Sequence, residues 1–426
     1  MKKTWMPALL LAFTMLLLLL TACHSARMEA EAGGSSPPAE EADSSFAPDP
    51  NPEDRAAAAP QSFSDLYRQQ MEPYAVNFSP DDMSPLDTLD LKDYRVFLIG
   101  ESHAVGKNAE IKLSFFKYLN QRLGVRYIIE EAGYCNTIAI NQFLQTGEAV
   151  LISELIESYK GTFGYTNERY AYYSELYKYN QTLPEGEKIV VIGIDVQHHT
   201  QYGITLLRAF AGEGEMSEPV RDVFDILSAD EPTLEQIDSA LNTLEANKAA
   251  FQTYLGAGYF DFYYGLRAVW QAFVYYTGGT GFEKASFSVR ESFICDNFRD
   301  LYADLGIGSC FGMFGFKHVI LNGRFGANKV LGNYLNTEVE ATRDQVLSIM
   351  CIYQNCYYMD LASGLSVPEP SQYGYTFGNA LAETVSGDYG ICPSGTLSIG
   401  DRVLSDEFQY MLCVKNSPAF SMFDKR

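Results

Sequence analysis

The chain has 426 residues, of which 47% are hydrophobic and 14% aromatic, and its formal net charge at pH 7 is −23. The apolar content is sufficient for a large buried core. The negative charge argues against nucleic-acid binding, which needs many Lys and Arg side chains to bind phosphates. It also disfavours electrostatic attachment to anionic lipid.

The first residues have the pattern of an exported lipoprotein. The segment MKKTWMPALLLAFTMLLLLLTAC combines two lysines, a long apolar run and small residues before Cys23, which is the layout of a secretory signal. Its last four residues, LTAC, look like a bacterial lipobox, which implies that residues 1–22 are cleaved and that Cys23 is lipidated. An uncleaved membrane anchor is the alternative, because the run is long enough to cross a bilayer. Both interpretations predict a protein held at the cell membrane on its extracytoplasmic face.

The rest of the chain divides into a tether and a folded domain. Residues 23–61 are rich in Ala, Glu, Pro, Ser and Asp, a composition that predicts disorder because it cannot form a core. Residues 62–426 contain no second linker of this kind. We therefore expect one large domain there, with a helical insertion at 217–304.

Short apolar runs alternate with helical segments along this domain. YRVFLIG, VRYIIE and EKIVVIGID read as strands, and each is followed by a segment with helical periodicity. After the insertion, strands are predicted at SCFGMFGF, VLSIMCIY and FQYMLCVK. This alternation predicts an α/β fold with a mainly parallel central sheet flanked by helices. Ligands of such sheets bind at the carboxyl ends of the strands.

Acids and histidines are concentrated at these predicted strand ends. Apart from His24 in the tether, every histidine lies near one, and three acids do so as well; together these residues are Glu101, His103, Glu130, Asp195, His198, His199 and His318. Each has an ordinary explanation by itself, such as a solvated loop, a helix start or a core position. Their joint occurrence nevertheless predicts a functional cleft.

The chemistry that suits these groups is proton transfer to and from water. A histidine oriented by a carboxylate can direct a water molecule at an acyl carbon, and His103 with Glu101 or Glu130 would meet that need. Lys112, in the next helix, is a candidate cation for the oxyanion, or else an ordinary surface lysine. The sequence contains no GxSxG, HExxH or GxxxxGK[ST] motif. A serine nucleophile elbow, a zinc-protease helix and a phosphate-binding P-loop are therefore not indicated. No cofactor is required, although two histidines and two carboxylates leave a divalent metal open.

An aromatic helical face lies in the predicted insertion. It consists of Tyr259, Phe262, Leu266, Trp270 and Phe273. Internal packing of the insertion is the favoured explanation. The alternative is an apolar wall for a bulky substrate.

Taken in order, the motifs resemble the erythromycin esterase family of hydrolases, from about Tyr94 to Phe420. The resemblance is carried by GESH with the helix containing Lys112, RYIIE, INQFLQTGE, GIDVQ, VRESFICDN and FGFKHVILNGRFGANKVLGNYLN. Two features depart from the family pattern. Only Ser102 separates Glu101 from His103, where the family usually has two residues, and Gly315 stands where the later histidine pair has its first member.

The resemblance implies hydrolysis of an ester, lactone or related acyl bond in a small-molecule substrate, without a covalent serine intermediate. It implies His103 as general base, Glu101 and Glu130 as the groups that orient it or the water, Lys112 as the oxyanion cation, and His318 as a substrate-binding or proton-relay residue. Substrate contacts are expected from Asp195, His198, His199 and Arg290.

Two other functional classes remain open. The Glu-x-His spacing is closer to a related family of haem-binding lipoproteins, in which haem or a metal would be bound without turnover. A degenerate family member that acts as a surface interaction protein is the third possibility.

Overall fold

The computed structural model describes residues 63–277, 287–325, 328–369, 375–395, 397–399 and 402–424. The predicted signal, Cys23 and the whole predicted tether lie outside these residues. Within the described ranges, no helix is both long enough and apolar enough to cross a membrane.

Within the part of the chain that the structure describes, the strands belong to one central sheet and three short antiparallel pairs. In chain order they are β1 Val76–Phe78, β2 Val96–Glu101, β3 Tyr127–Gly133, β4 Val190–Asp195, β5 Cys310–Gly315, β6 Arg324–Phe325, β7 Asn328–Lys329, β8 Val346–Gln354, β9 Tyr357–Asp360, β10 Leu365–Pro368, β11 Tyr389–Pro393, β12 Ser398–Ile399, β13 Arg402–Val403 and β14 Tyr410–Lys415. The central sheet has eight strands in the order β1-β11-β14-β8-β2-β5-β3-β4.

Most of this sheet is parallel. Every neighbouring pair from β14 to β4 runs parallel, whereas β1 and β11 form an antiparallel edge. The central strand β2, VFLIGE, is buried along its whole length except at its last residue, as expected for a parallel strand covered on both faces. The predicted α/β class with a mainly parallel sheet is therefore confirmed.

Helices cover the sheet. They are α1 Phe63–Met71, α2 Asn108–Leu123, α3 Tyr134–Thr146, α4 Ala149–Ser158, α5 Asn167–Thr182, α6 Thr200–Arg208, α7 Glu218–Ser228, α8 Leu234–Ala246, α9 Lys248–Leu255, α10 Tyr259–Thr277, α11 Phe287–Asp304, α12 Phe316–Val319, α13 Leu331–Thr337 and α14 Tyr375–Thr384. Helix α2 ends at Gly124, which adopts a left-handed conformation with φ +70° and accordingly closes the helix.

Helices α6 to α10 build an apolar cluster of their own between β4 and β5. Phe262 and Leu266 on α10 are fully buried in it, and Tyr259, Trp270 and Phe273 pack against it as partly buried side chains. The aromatic face predicted for this helix is therefore used for packing.

Because β2, β5, β3 and β4 are neighbours and parallel, their carboxyl ends lie along one edge of the sheet. Glu101 at the end of β2 pairs in register with Gly315 at the end of β5, and Gly133 at the end of β3 pairs with Asp195 at the end of β4. This edge is where the fold brings the predicted acids and histidines together.

Candidate functional site

The chain turns sharply immediately after His103. Ala104 has φ +69°, a left-handed conformation that is uncommon for a residue with a Cβ and that persists only where neighbouring structure enforces it. The enforcing contacts are backbone hydrogen bonds, since the Ala104 carbonyl accepts from Phe420 at 3.1 Å and from Met359 at 3.3 Å. The C-terminal segment thus fixes the corner that presents His103.

Glu101 holds the His103 ring in one orientation. Its Oε1 lies 2.9 Å from His103 Nδ1, and its Oε2 accepts a hydrogen bond from the Asn108 side-chain amide. The Asn108 side-chain Oδ1 accepts in turn from the Tyr353 hydroxyl at 2.8 Å. A carboxylate on Nδ1 selects the tautomer in which Nε2 is free to accept a proton, so Nε2 is the atom available for chemistry.

A bulge in β3 determines which glutamate enters the cleft. Glu130 pairs with Gly193, but Gly133 pairs with Asp195, so β3 has one more residue than β4 across this step. Bulges redirect side chains at strand ends. A Cβ on Gly193 would lie 2.5 Å from the Gly133 carbonyl oxygen, so the bulge depends on glycine at that position of β4.

Glu131 occupies the centre of the cluster. Its Oε1 lies 2.7 Å from Arg290 Nη2 and 3.2 Å from His318 Nε2, and the same oxygen is 4.0 Å from His103 Nε2. Its Oε2 accepts the Gly315 backbone N–H at 2.7 Å. Glu131 is not among the site residues predicted from the sequence, yet its side chain is 14% exposed and makes ion pairs on several sides.

Glu130 makes a different contact. It is 3% exposed, and its Oε2 lies 2.5 Å from the ammonium nitrogen of Lys112. Its Oε1 is buried without a hydrogen-bond partner. The structure therefore pairs Glu130 with Lys112, and of the two adjacent glutamates it is Glu131 that approaches His103.

The remaining predicted residues meet at the end of β4. Asp195 is fully buried and accepts three hydrogen bonds from Arg290: from Nε at 3.0 Å to Oδ1 and 3.2 Å to Oδ2, and from Nη2 at 2.5 Å to Oδ2. His198 Nε2 lies 3.2 Å from Asp195 Oδ2. His199 instead precedes α6 and contacts the Tyr159 ring edge-on, with the centroids 5.3 Å apart. Asp195, His198 and Arg290 thus join the cluster through Glu131, whereas His199 lies beside Tyr159.

The charged groups of this cluster determine one another's protonation states. Burial opposes protonation of His318, but the charge and hydrogen bond of Glu131, together with Glu291, outweigh it and raise the pKa of His318 to about 10. Burial opposes ionisation of Glu131, but His318, His103 and Arg290 hold the pKa of Glu131 well below its usual range. At neutral pH His318 is a cation and Glu131 an anion.

His103 can change its charge more easily. Burial lowers the pKa of His103, but the hydrogen bond with Glu101 and the charge of Glu131 exceed that effect, so the net shift is upward from the usual value. Its side chain is 40% exposed, against 4% for His318. A basic, accessible imidazole beside fixed charges is suited to proton transfer.

His199 is shifted in the opposite direction. Burial and the nearby charge of His198 lower the pKa of His199 to about 4, so this ring is neutral at physiological pH. In the ranges that the structure describes, no set of three or more His, Cys, Asp or Glu side chains is arranged to hold a metal ion.

Several residues of the cluster were not predicted from the sequence. They are Asn108 and Tyr353 behind Glu101, Glu131 in the bulge, and Glu291, which forms an ion pair with His318 Nδ1 and accepts the Leu331 N–H at 2.8 Å. The sequence contains a signal for Glu291, because this residue directly follows Arg290, a predicted substrate contact, in VRESF. Glu131 carried no distinguishing signal beside Glu130.

Comparison with known proteins identifies the fold. No family model matches the sequence, and no curated protein matches it either. Among solved structures, a Bacillus cereus protein superposes with a TM-score of 0.63 at 14% identity, over 85% of this chain and all (100%) of the other. A mutant of the erythromycin esterase EreC in its open conformation superposes with a TM-score of 0.58 at 14% identity, over 81% of this chain and 96% of the other. The chain has the erythromycin esterase-like fold.

A third solved structure shares this fold. It is described as a succinoglycan biosynthesis protein and superposes with a TM-score of 0.62 at 15% identity, over 85% of this chain and 100% of the other. At these identities the likeness establishes the erythromycin esterase-like fold alone. Activity must be argued from the residues at the strand ends.

Proposed function

We propose that this chain is a hydrolase of the erythromycin esterase-like type that cleaves an ester, lactone or related acyl bond of a small molecule. The observation that carries the proposal is the Glu101–His103 pair at the end of β2, with a separation of 2.9 Å and an exposed imidazole. His103 Nε2 takes a proton from water, and the resulting hydroxide attacks the acyl carbon. The same proton then passes to the leaving alcohol oxygen, which restores neutral His103.

The fixed charges around His103 support this cycle. Glu101 stabilises the imidazolium that forms after proton transfer, as a carboxylate on the far ring nitrogen does in other hydrolases. His318 remains protonated because its pKa is raised to about 10 by Glu131 and Glu291 against the effect of burial. This favours an electrostatic or substrate-binding role for His318 over a proton relay.

The role predicted for Lys112 has less support from the geometry. Its ammonium lies 2.5 Å from Glu130, and both side chains are nearly buried. An ammonium that a carboxylate already neutralises contributes less to a developing negative charge. Glu130 is accordingly used to neutralise Lys112, while Glu131 supplies the carboxylate beside His103.

We also propose that the enzyme is a lipoprotein anchored through Cys23 on the extracytoplasmic face of the membrane. The supporting observations are the signal-like first residues and the LTAC sequence. The test is mass spectrometry of the mature N-terminus, which should begin at a diacylated Cys23. An N-terminus at Met1 would favour the uncleaved anchor.

The test of the activity compares the full-length, detergent-purified protein with His103→Ala and with His24→Ala, a control in the predicted tether. All three are assayed on a panel of esters that includes macrolide lactones. Turnover by the wild type and the control, with a loss of about 10²-fold or more in His103→Ala, supports the proposal. Full turnover by His103→Ala contradicts it, and stoichiometric haem or metal without turnover would favour the binding-protein alternative.

A further inference from the structure

Arg169 differs from the other cations around the cleft in lacking a carboxylate partner. Lys112, Arg290 and His318 each lie within 3.2 Å of a carboxylate oxygen. No carboxylate of the described residues lies within 4.0 Å of the Arg169 guanidinium. Arg169 therefore keeps a positive charge that no ion pair cancels.

Neutral groups hold this guanidinium in place. The Arg169 backbone N–H donates to Thr166 Oγ1 at 3.0 Å, which places the residue in the first turn of α5. The guanidinium carbon lies 5.1 Å from the centroid of the Tyr159 ring, within the range of a cation–π contact. Tyr159 and Tyr173 also interact electrostatically with the guanidinium, and as neutral groups they do not cancel its charge.

The position of Arg169 connects it with the ends of β2 and β3. Its charge is attracted by Glu130 and by Glu101, the carboxylate that holds His103. Phe163, in the loop before α5, stacks on the His103 ring with the centroids 5.7 Å apart. The loop and the first turn of α5 thus form a wall of the cleft beside the general base.

The C-terminal segment ties this wall to the corner at His103. Asn167 N donates to the Ser421 carbonyl at 3.0 Å, and Phe420 N donates to the Ala104 carbonyl at 3.1 Å. Two adjacent residues of one strand-like segment therefore fix both sides of the cleft. A guanidinium anchored in this way is preorganised relative to His103, which is the condition for effective electrostatic stabilisation.

We propose that Arg169 donates hydrogen bonds to the substrate carbonyl oxygen, which becomes the oxyanion when water attacks. The inference rests on the proposed hydrolysis and assigns to Arg169 the role that the sequence suggested for Lys112. As hydroxide adds to the acyl carbon, the carbonyl π electrons move onto this oxygen, and they return when the alcohol leaves. A guanidinium presents its donors in a fixed fork, which suits an oxygen whose charge rises and falls.

The experiment uses full-length wild type, Arg169→Gln, Arg169→Lys and the control Arg221→Gln. Arg221 is exposed on α7 and donates to the Met216 carbonyl, so its change leaves the cleft intact. Two quantities are measured: kcat and KM on an ester that the wild type hydrolyses, and the Kd of an alkyl phosphonate monoester, an anionic tetrahedral mimic of the intermediate. Thermal melting confirms that each variant is folded. If Arg169→Gln does not fold, the same two quantities are compared between wild type and Arg169→Lys.

We expect Arg169→Gln to lower kcat by about 10²-fold, the usual cost of losing one oxyanion donor, with a smaller change in KM. The phosphonate should bind more weakly by a similar factor, Arg169→Lys should be intermediate, and added guanidinium should partly restore Arg169→Gln. Unchanged phosphonate affinity in Arg169→Gln, or no phosphonate binding by the wild type, overturns the inference. Turnover that is independent of His103 would instead overturn the proposed function, so the two failures are distinguishable.

Discussion

Replacing Gly315 by alanine should disturb His103 without disturbing the fold. A Cβ at position 315 would lie 3.0 Å from His103 Nε2 and 3.2 Å from Cε1, but 3.6 Å from the nearest Glu131 oxygen. The first two distances are closer than ordinary contact, and the third is normal. The added methyl group therefore acts on the imidazole, and specifically on its reactive nitrogen.

The size of the effect follows from this geometry. The ring must move by a few tenths of an ångström or rotate away from its preferred angle, which costs about 0.5–1.5 kcal/mol. That cost corresponds to a decrease in kcat/KM of about 2- to 13-fold. Gly315 has φ −50°, a value that alanine adopts readily, so the free energy of unfolding should stay within about 1 kcal/mol of the wild type.

Two assays check this prediction. Steady-state kinetics of Gly315→Ala on an ester substrate give kcat/KM, and NMR titration of the histidine ring protons follows His103 without any substrate. Gly186→Ala is the matched control, because nothing lies within 4 Å of a Cβ built there. If Gly315→Ala leaves both kcat/KM and the His103 resonances unchanged, the site does not have the geometry described.

Three further substitutions test other parts of the cluster. Glu101→Gln removes the negative charge of the group that hydrogen-bonds His103 and opposes the effect of burial on its pKa, so the pKa of His103 should fall and the acid limb of kcat/KM should move to lower pH. The rate should also fall by about 10- to 100-fold because a charge-assisted hydrogen bond is lost; an unmoved limb in pH–rate profiles would contradict the pairing. His318 has a pKa raised to about 10 by Glu131 and Glu291 against the effect of burial, compared with about 6.5 when unfolded, so its stabilisation is complete below about pH 6.5 and is lost as the pH rises through about 10. Urea unfolding of His318→Gln should show a loss of about 3 kcal/mol at pH 6, with a smaller difference from wild type at pH 10; an equal difference at both pH values would refute the assigned charge. Gly193→Ala places a Cβ 2.5 Å from the Gly133 carbonyl oxygen, so the β3 bulge must move, and we expect a loss of about 1–3 kcal/mol in unfolding experiments together with reduced activity. Wild-type stability and turnover in that variant would show that the bulge does not need glycine.

Much of the candidate site could be predicted from the residues at the strand ends, because a strand end is recognised from a few consecutive residues. An apolar run that stops at a glycine and is followed by an acid and a histidine identifies the end of β2, and the apolar run before Asp195 identifies the end of β4. The alternation of strands and helices implies a parallel sheet, and a parallel sheet places these ends along one edge. Glu101, His103, Asp195 and His318 were therefore predictable as neighbours of one cleft.

The choice between Glu130 and Glu131 was not predictable in this way. Alternation along a strand separates adjacent residues onto opposite faces, but it does not say which face meets His103. The bulge decides that question, and it depends on contact between β3 and Gly193 of another strand. Arg169 was not predicted for a related reason. The role of an arginine in a helix depends on the groups that surround it in the folded protein.

By itself the sequence determined the α/β architecture, the carboxyl edge of the sheet as the place where acids and histidines meet, and the Glu101–His103 pair, because periodicity, strand ends and short spacings can be read directly along the chain. Only the tertiary structure decided which carboxylates neutralise which cations: Lys112 with Glu130, Arg290 with Asp195 and Glu131, and His318 with Glu131 and Glu291. Electrostatic energies depend on distances of a few ångströms between residues far apart in the chain, and on how deeply each is buried. Those quantities exist only after the chain has folded.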